Sequence, residues 1–196
     1  SDKCYENKEW PYQYRGVDPM GGYDPYSSSK GCQELIASSY RNSFFNPKDY
    51  GKKHRTALAS ARAGNVIGGG DWAMDRILPD SVRALSQHKP IPIRNPQSIR
   101  PWQHVLEPLS GYLWLGAKME EDGATYSEAW NFGPSSENTI PVQQIANKVL
   151  ENWGSGEIAL SPNPGPKEAN LLKLDIGKAA QRLEWSPVYN IDQTIA

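Results

Sequence analysis

Gly21-Gly22-Tyr23-Asp24-Pro25-Tyr26-Ser27-Ser28-Ser29-Lys30-Gly31 opens a helix by several local rules at once. Asp24 can cap it, because its carboxylate can accept from the orphan amides of the first turn. Pro25 suits the first helical position, where no amide hydrogen is needed. Apolar Leu35, Ile36 and Tyr40 continue at helical spacing toward Phe44, and the run ends near Asn46-Pro47. Inside this helix the Tyr26 phenol and the Lys30 ammonium lie four residues apart, project from one face and can act on one substrate atom. An ammonium beside a phenol favours the phenolate, which suits a tyrosine base. With 10 Tyr and 12 Lys in 196 residues, chance alone supplies about 0.6 pairs at this spacing, so the pair carries weight only through its context.

Working outward, Thr56–Ala63 (TALASARA) is ambiguous on propensity. Ala and Leu favour helix, but a bounded run of this length between Gly51 and Gly64 also fits a buried strand, and we read it as one. After Gly68-Gly69-Gly70, a helix is expected from Asp75 to Ser86 with Pro79 in its first turn. Extended pieces follow at Ile91–Ile93 and Ile99–Val105, then a helix from Leu106 to Met119 and a strand end at Trp130-Asn131-Phe132. Another helix covers Val142–Trp153. Ile158–Leu160 and Leu171–Leu174 read as short strands around a loop from Ser161 to Asn170, a short helix leads to Leu183, and a further helix begins at Ile191. Alternating helices and strands give an α/β class.

Bulk properties bound the partners. With 21 basic and 22 acidic residues the net charge is −1, so no large field exists to bind nucleic acid or an anionic membrane, and any phosphate must be gripped locally. Mean hydropathy is −0.67 and no long apolar run reads as a membrane span. Cys4 and Cys32 are too few for a disulfide framework and have no zinc spacing, which fits a soluble protein of the cytoplasm. His54, His88 and His104 form no ligand pattern. Ser1-Asp2-Lys3-Cys4-Tyr5 is too polar for a signal peptide, no Met opens the chain, and both ends read as truncated.

A family resemblance becomes specific at Ser1-Asp2-Lys3, upstream of Tyr26. SDKCYENKEW, GGYDPYSSSKG, RAGNVIGGGDW, SIRPWQHVLEPLSGYL and AWNFGP together resemble the extended short-chain dehydrogenases, within them the sugar-nucleotide dehydratases, and most specifically the branch acting on CDP-glucose. The resemblance covers nearly the whole chain. It implies the C-terminal part of a Rossmann-type fold with a smaller sugar-nucleotide-binding region: residues 1–66 holding later Rossmann strands and the Tyr/Lys helix, and 67–196 mainly substrate-binding. It implies a Ser1-Tyr26-Lys30 triad acting with NAD, in which Tyr26 as phenolate takes the sugar C4 hydroxyl proton. Most relatives follow the serine with an Asp-Glu pair, whereas this branch has Asp-Lys. Lys3 therefore stands where the usual C5 base stands, and Asp2 where the acid for the departing C6 hydroxyl stands. Whether Lys3 acts neutral as a base or charged as an enolate stabiliser stays open.

On the substrate side the resemblance places Asn65, Arg76, Arg94 and Arg100 around the diphosphate, and Asn131 near the nucleoside. Asn163-Pro164-Gly165-Pro166-Lys167-Glu168 departs from the related dTDP-sugar enzymes, which carry an arginine where Asn163 stands; Glu168 is a candidate substrate contact. No glycine fingerprint for a dinucleotide follows a strand here, so NAD is inferred by resemblance alone. The implied substrate is a CDP-sugar, and relatives commonly form homodimers through the Tyr/Lys helix, so Leu35 and Ile36 face either a partner or the core. A 4-epimerase shares Tyr26 and Lys30 but has no need of Asp2-Lys3. A non-catalytic sugar-nucleotide-binding module is the alternative of another class.

Overall fold

The computed structural model describes residues 1–161 and 170–196. Its longest element is helix α1, Pro25–Ser43. The cap expected from the sequence is present: the Asp24 carboxylate accepts from the amides of Tyr26 and Ser27, and Ser27 reciprocates toward Asp24. Strands β1 (Ser60–Ala63) and β2 (Asn65–Ile67) follow, then helix α2 (Ile77–Ser86) and strands β3 (Ile91–Ile93) and β4 (Ile99–His104). Helices α3 (Leu106–Glu121) and α4 (Gly123–Tyr126) lead to β5 (Ala129–Phe132) and β6 (Thr139–Pro141). The chain then forms α5 (Val142–Trp153), β7 (Ile158–Leu160), α6 (Gly177–Arg182) and α7 (Ile191–Ile195).

Pairing is mostly parallel, as crossover helices require. β1 pairs with β5, β2 with β4 and β3 with β7 in parallel, and β6 adds to β4 antiparallel. Trp130 and Phe132 from β5 are fully buried against Leu115, Leu183 and Trp185, forming one core beneath β1 and β5. Ile91 and Ile93 of β3 pack with Leu85 of α2 and with Ala146 and Val149 of α5, closing a second core. Tyr5, Tyr14, Leu172 and Leu174 make a third, which fixes the N-terminal segment on the rest.

Three expectations need correcting. The strand foreseen over Thr56–Ala63 begins only at Ser60. The Leu58 amide donates to Ser127 Oγ at 3.0 Å and its carbonyl accepts from Arg41 at 2.8 Å, so side chains occupy the groups a ladder would use. The helix foreseen from Asp75 starts at Ile77, because Asp75 is left-handed at φ 62°. Leu171–Leu174 is not a strand: Leu171 bridges Ile99 while Leu174 bridges Tyr14, and two single bridges to different neighbours make no ladder. Leu35, Ile36, Tyr40 and Phe44 all lie exposed along α1, outside the cores of this chain.

Candidate active site

A cleft of about 520 Å³ opens between the N-terminal segment and the region from Asp71 to Ser98. One wall carries Ser1, Asp2, Lys3 and Tyr26; across it stand Arg76 and Arg94, with Asn65 and Arg100 on the strands between. Eight residues singled out from the sequence thus share one cavity although they span a hundred positions of chain.

The first wall is built by close backbone approach. Ser1 caps a 3₁₀ turn over Asp2–Cys4, its hydroxyl accepting from the Lys3 amide at 3.2 Å. Asp2 is only 4% exposed and accepts from the Lys3 ammonium at 3.3 Å, so it is a buried, paired carboxylate rather than part of a solvated terminus. The Gly21 amide donates to the Cys4 carbonyl at 2.9 Å. Gly31, the residue after Lys30, sits against that junction: a Cβ there would meet Gly21 N at 3.2 Å and Cys4 O at 3.4 Å. A side chain at this position would push α1 away from the turn that carries Asp2 and Lys3. Tyr26 is well exposed to the cleft, and the Lys30 ammonium lies 5.4 Å from its ring centroid. Lys30 itself does not line the cavity.

Behind this wall runs a buried polar network. Arg62 of β1, 3% exposed, donates to Glu34 of α1 at 2.6 Å, to the Tyr5 hydroxyl at 2.7 Å and to the Gly16 carbonyl at 3.1 Å. Glu34 also accepts from Ser60 at 2.8 Å. Burial would raise the Glu34 carboxyl, but the Arg62 bonds and charge outweigh it and hold the group below the usual 4.5. Burial pushes the Tyr5 phenol up to about 12 despite Arg62, so it stays protonated and donates to Asn131 at 2.6 Å. The neighbouring Cys4 thiol is pushed by burial to about 11.

The second wall is held by exposed ion pairs. Arg76, the residue before α2, donates to Asp71 at 2.9 Å with its side chain 62% exposed. Arg94 donates to Asp75 at 3.1 Å, and Arg83 to Asp80 at 2.6 Å. Arg100 is buried in β4 and donates to the Ile99 carbonyl at 3.0 Å. Four cations, Lys3, Arg76, Arg94 and Arg100, line the cleft among the described residues, opposed by Asp2, Asp71, Asp75 and Asp80. An anionic ligand entering here meets Arg76 and Arg94 already paired to Asp71 and Asp75. Exposed pairs of this kind are worth about 0–1 kcal/mol, so exchange toward a diphosphate is inexpensive.

Asn131 is not brought to the cleft. Its side chain is buried, accepts from Tyr5 and donates to the Tyr14 carbonyl at 2.8 Å and the Asp175 carbonyl at 3.1 Å. It does not line the cleft, because its amide ties β5 to the N-terminal segment. Asn163 and Glu168 lie outside the described residues. Sequence reading missed Asp71 and Asp75 and the whole Arg62 network. The available signal was Arg62 itself, a charge inside a segment already read as buried, which demands a buried partner. Among the described residues no three His, Cys, Asp or Glu side chains gather to hold a metal, and no helix is long and apolar enough to cross a membrane.

Ser1 and Tyr26 line the cleft and the Lys30 ammonium lies near the Tyr26 ring, so the hydroxyl and ammonium groups present fit the chemistry of a dinucleotide's ribose. No family model matches the chain. The whole chain is 53% identical to CDP-glucose 4,6-dehydratase of Salmonella typhimurium and spans 54% of that protein's length. Among solved structures, dTDP-glucose 4,6-dehydratase of Bacillus anthracis in complex with NAD superposes with a TM-score of 0.79 at 18% identity, over 100% of this chain and 57% of that one. UDP-glucuronic acid 4-epimerase of Bacillus cereus, in complex with UDP-glucuronic acid and NAD, gives 0.79 at 17% identity, over 98% and 56%. The chain therefore has the α/β fold of the corresponding part of these Rossmann-type enzymes.

Proposed function

We propose that this chain is the catalytic and sugar-nucleotide-binding part of an NAD-dependent CDP-glucose 4,6-dehydratase. The observation that carries the reading is the cleft, in which a tyrosine, an Asp-Lys pair with a buried carboxylate, and three arginines converge. The 53% identity over the full chain supports the choice of nucleotide branch. In this reading residues 1–66 bring the reacting groups and 67–196 mainly the sugar-nucleotide contacts.

When bound, NAD+ would supply the chemistry of removing a hydride from C4 and returning it to C6. Tyr26, as phenolate beside Lys30, takes the C4 hydroxyl proton, and the resulting ketone acidifies C5–H. Lys3 takes the C5 proton and Asp2 gives a proton to the leaving C6 hydroxyl, which departs as water; Lys3 then returns its proton to C5 as C6 is reduced, and the proton taken up by Tyr26 makes good the one Asp2 gave. Their ion pair is poised for this division of labour. Moving one proton from Lys3 to Asp2 would yield a base and an acid side by side without changing the charge of the site. Ser1, Tyr26 and Lys30 hold the nicotinamide end of the cofactor; Arg76, Arg94, Arg100 and Asn65 grip the diphosphate. Glu168 remains a candidate contact.

The proposal extends to assembly and context. The exposed Leu35, Ile36, Tyr40 and Phe44 along α1 support a homodimer through that helix, in a cytoplasmic enzyme feeding dideoxyhexose synthesis for surface polysaccharide.

The test uses the full-length protein with CDP-glucose, dTDP-glucose and GDP-mannose, following 4-keto-6-deoxy product by its absorbance in base. Preferential turnover of CDP-glucose is expected. Tyr26→Phe or Asp2→Asn should each cut kcat by about 10²–10⁴, the worth of a positioned acid or base. Epimerised product, or binding of CDP without turnover of any sugar, would overturn the reading in favour of an epimerase or an inert binding module.

A further inference from the structure

The proposed reacting groups sit on two separate pieces of chain, and one buried side chain bonds toward both. Glu34 lies on α1 one turn beyond Lys30 and two turns beyond Tyr26, about 6 and 12 Å along the axis. Tyr5 follows Lys3 by two residues, immediately after the turn that carries Asp2 and Lys3. Arg62 donates to Glu34 through one arm of its guanidinium and to Tyr5 through the other. Its plane lies over the Tyr5 ring, 5.1 Å from the centroid. The next residue, Ala63, already lines the cleft, followed by Gly64 and Asn65.

We infer that Arg62 is a positioning residue: through Glu34 and Tyr5 it sets the placement of the Tyr26–Lys30 pair relative to the Asp2–Lys3 pair. The inference rests on the dehydratase reading and adds a residue to its machinery. A buried ion pair is weak evidence for stability, since hydrophobic residues of similar volume often replace one without loss. What the network supplies, and apolar contacts do not, is direction. Each of its bonds fixes an angle, and the planar fork of arginine engages two elements at once. Such fixing matters if proton abstraction at C4 and elimination across C5–C6 act on one bound sugar, because misplacement on the order of 1 Å costs about 10²-fold in rate. Side chains reaching in from three elements (Glu34 on α1, Ser60 and Arg62 on β1, Asn131 on β5) make the network rigid as a unit.

The experiment compares full-length wild type with Tyr5→Phe, Glu34→Gln and Arg62→Lys, recording thermal midpoint, CDP affinity, kcat, KM and the reduced-nicotinamide absorbance during turnover. Tyr5→Phe removes one oxygen and keeps the ring, so it remains informative if a charge variant folds poorly. Tyr5→Phe and Glu34→Gln should each lower kcat by about tenfold or more while KM and CDP affinity stay within about twofold. Their signatures should differ. Tyr5→Phe slows elimination, so reduced nicotinamide accumulates; Glu34→Gln slows oxidation at C4, so it does not. Arg62→Lys keeps the charge but loses the fork and should not rescue kcat. Folded variants with kcat near wild type, or with kcat and CDP affinity falling together with the melting point, would overturn the positioning role. Wild type that dehydrates no sugar nucleotide would instead overturn the functional reading, and the inference with it.

Discussion

The two walls of the cleft are held by opposite means. On the side of Asp2, Lys3 and Tyr26, the stabilising charges are buried: Arg62 and Glu34 are 3% and 13% exposed and share partners on three elements. Across the cleft, Arg76 and Asp71 are 62% and 31% exposed and bond each other as a simple pair. Chemistry that moves protons demands fixed distances, whereas holding a flexible diphosphate demands cations able to change partners. Under the proposed function, the difference between the walls is what that division calls for.

The comparison breaks first, if it is wrong, in stability. Arg62→Met leaves Glu34 as an unpaired buried carboxylate and should cost about 3–5 kcal/mol in chemical denaturation of the full-length protein. Arg76→Met removes an exposed pair and should cost ~1 kcal/mol or less. Equal losses would mean that the second wall is as rigid as the first.

Acid sharpens the same contrast with a smaller effect. The Glu34 carboxyl is held below 4.5 in the folded chain, so the stabilisation from its ionised form is complete above that value and drains away as pH falls through the depressed folded value. Protonated Glu34 still fills its space and can accept from Arg62, so the loss should be less than that of Arg62→Met. Melting temperature followed from neutral pH to below 4.5 should fall along an acid limb that Glu34→Gln flattens. Asp71 is also depressed, chiefly by the Ala73 amide and then by Arg76, but it is exposed at the surface pair, and Asp71→Asn should leave the limb in place.

The two walls were unequally legible. Helix α1, its Asp24 cap and the Tyr26–Lys30 pair follow from local rules that need no tertiary information, and α5 appears over the predicted residues. Arg76, Arg94 and Arg100 came from a resemblance, and the cleft gathers them. Asp71 and Asp75 were invisible because a carboxylate five residues before Arg76, or nineteen before Arg94, has no periodic signature; the pairing depends on how the loop ahead of α2 turns back, including left-handed Asp75. Asn131 was named a ligand contact through the resemblance alone, and its hydrogen bonds to Tyr5, Tyr14 and Asp175 were invisible for the same reason as the acidic partners: they come from segments far away in the chain.

The smallest predicted effect concerns the carboxylates of the second wall. If Arg76 and Arg94 exchange partners when a diphosphate enters, Asp71 and Asp75 compete with the ligand, and the free state holds each arginine by the strength of its pair. Removing a competitor's charge should then tighten binding rather than weaken it. An exposed pair is worth at most about 1 kcal/mol, which caps the gain from Asp71→Asn or Asp75→Asn at about fivefold in CDP affinity by calorimetry. The same change on the first wall, Asp2→Asn, should leave CDP affinity nearly unaltered, because the carboxylate of Asp2 is paired with Lys3 and not with Arg76 or Arg94. Weaker CDP binding in the Asp71 or Asp75 variant would mean that these carboxylates orient their arginines for the ligand, making the second wall as preorganised as the first.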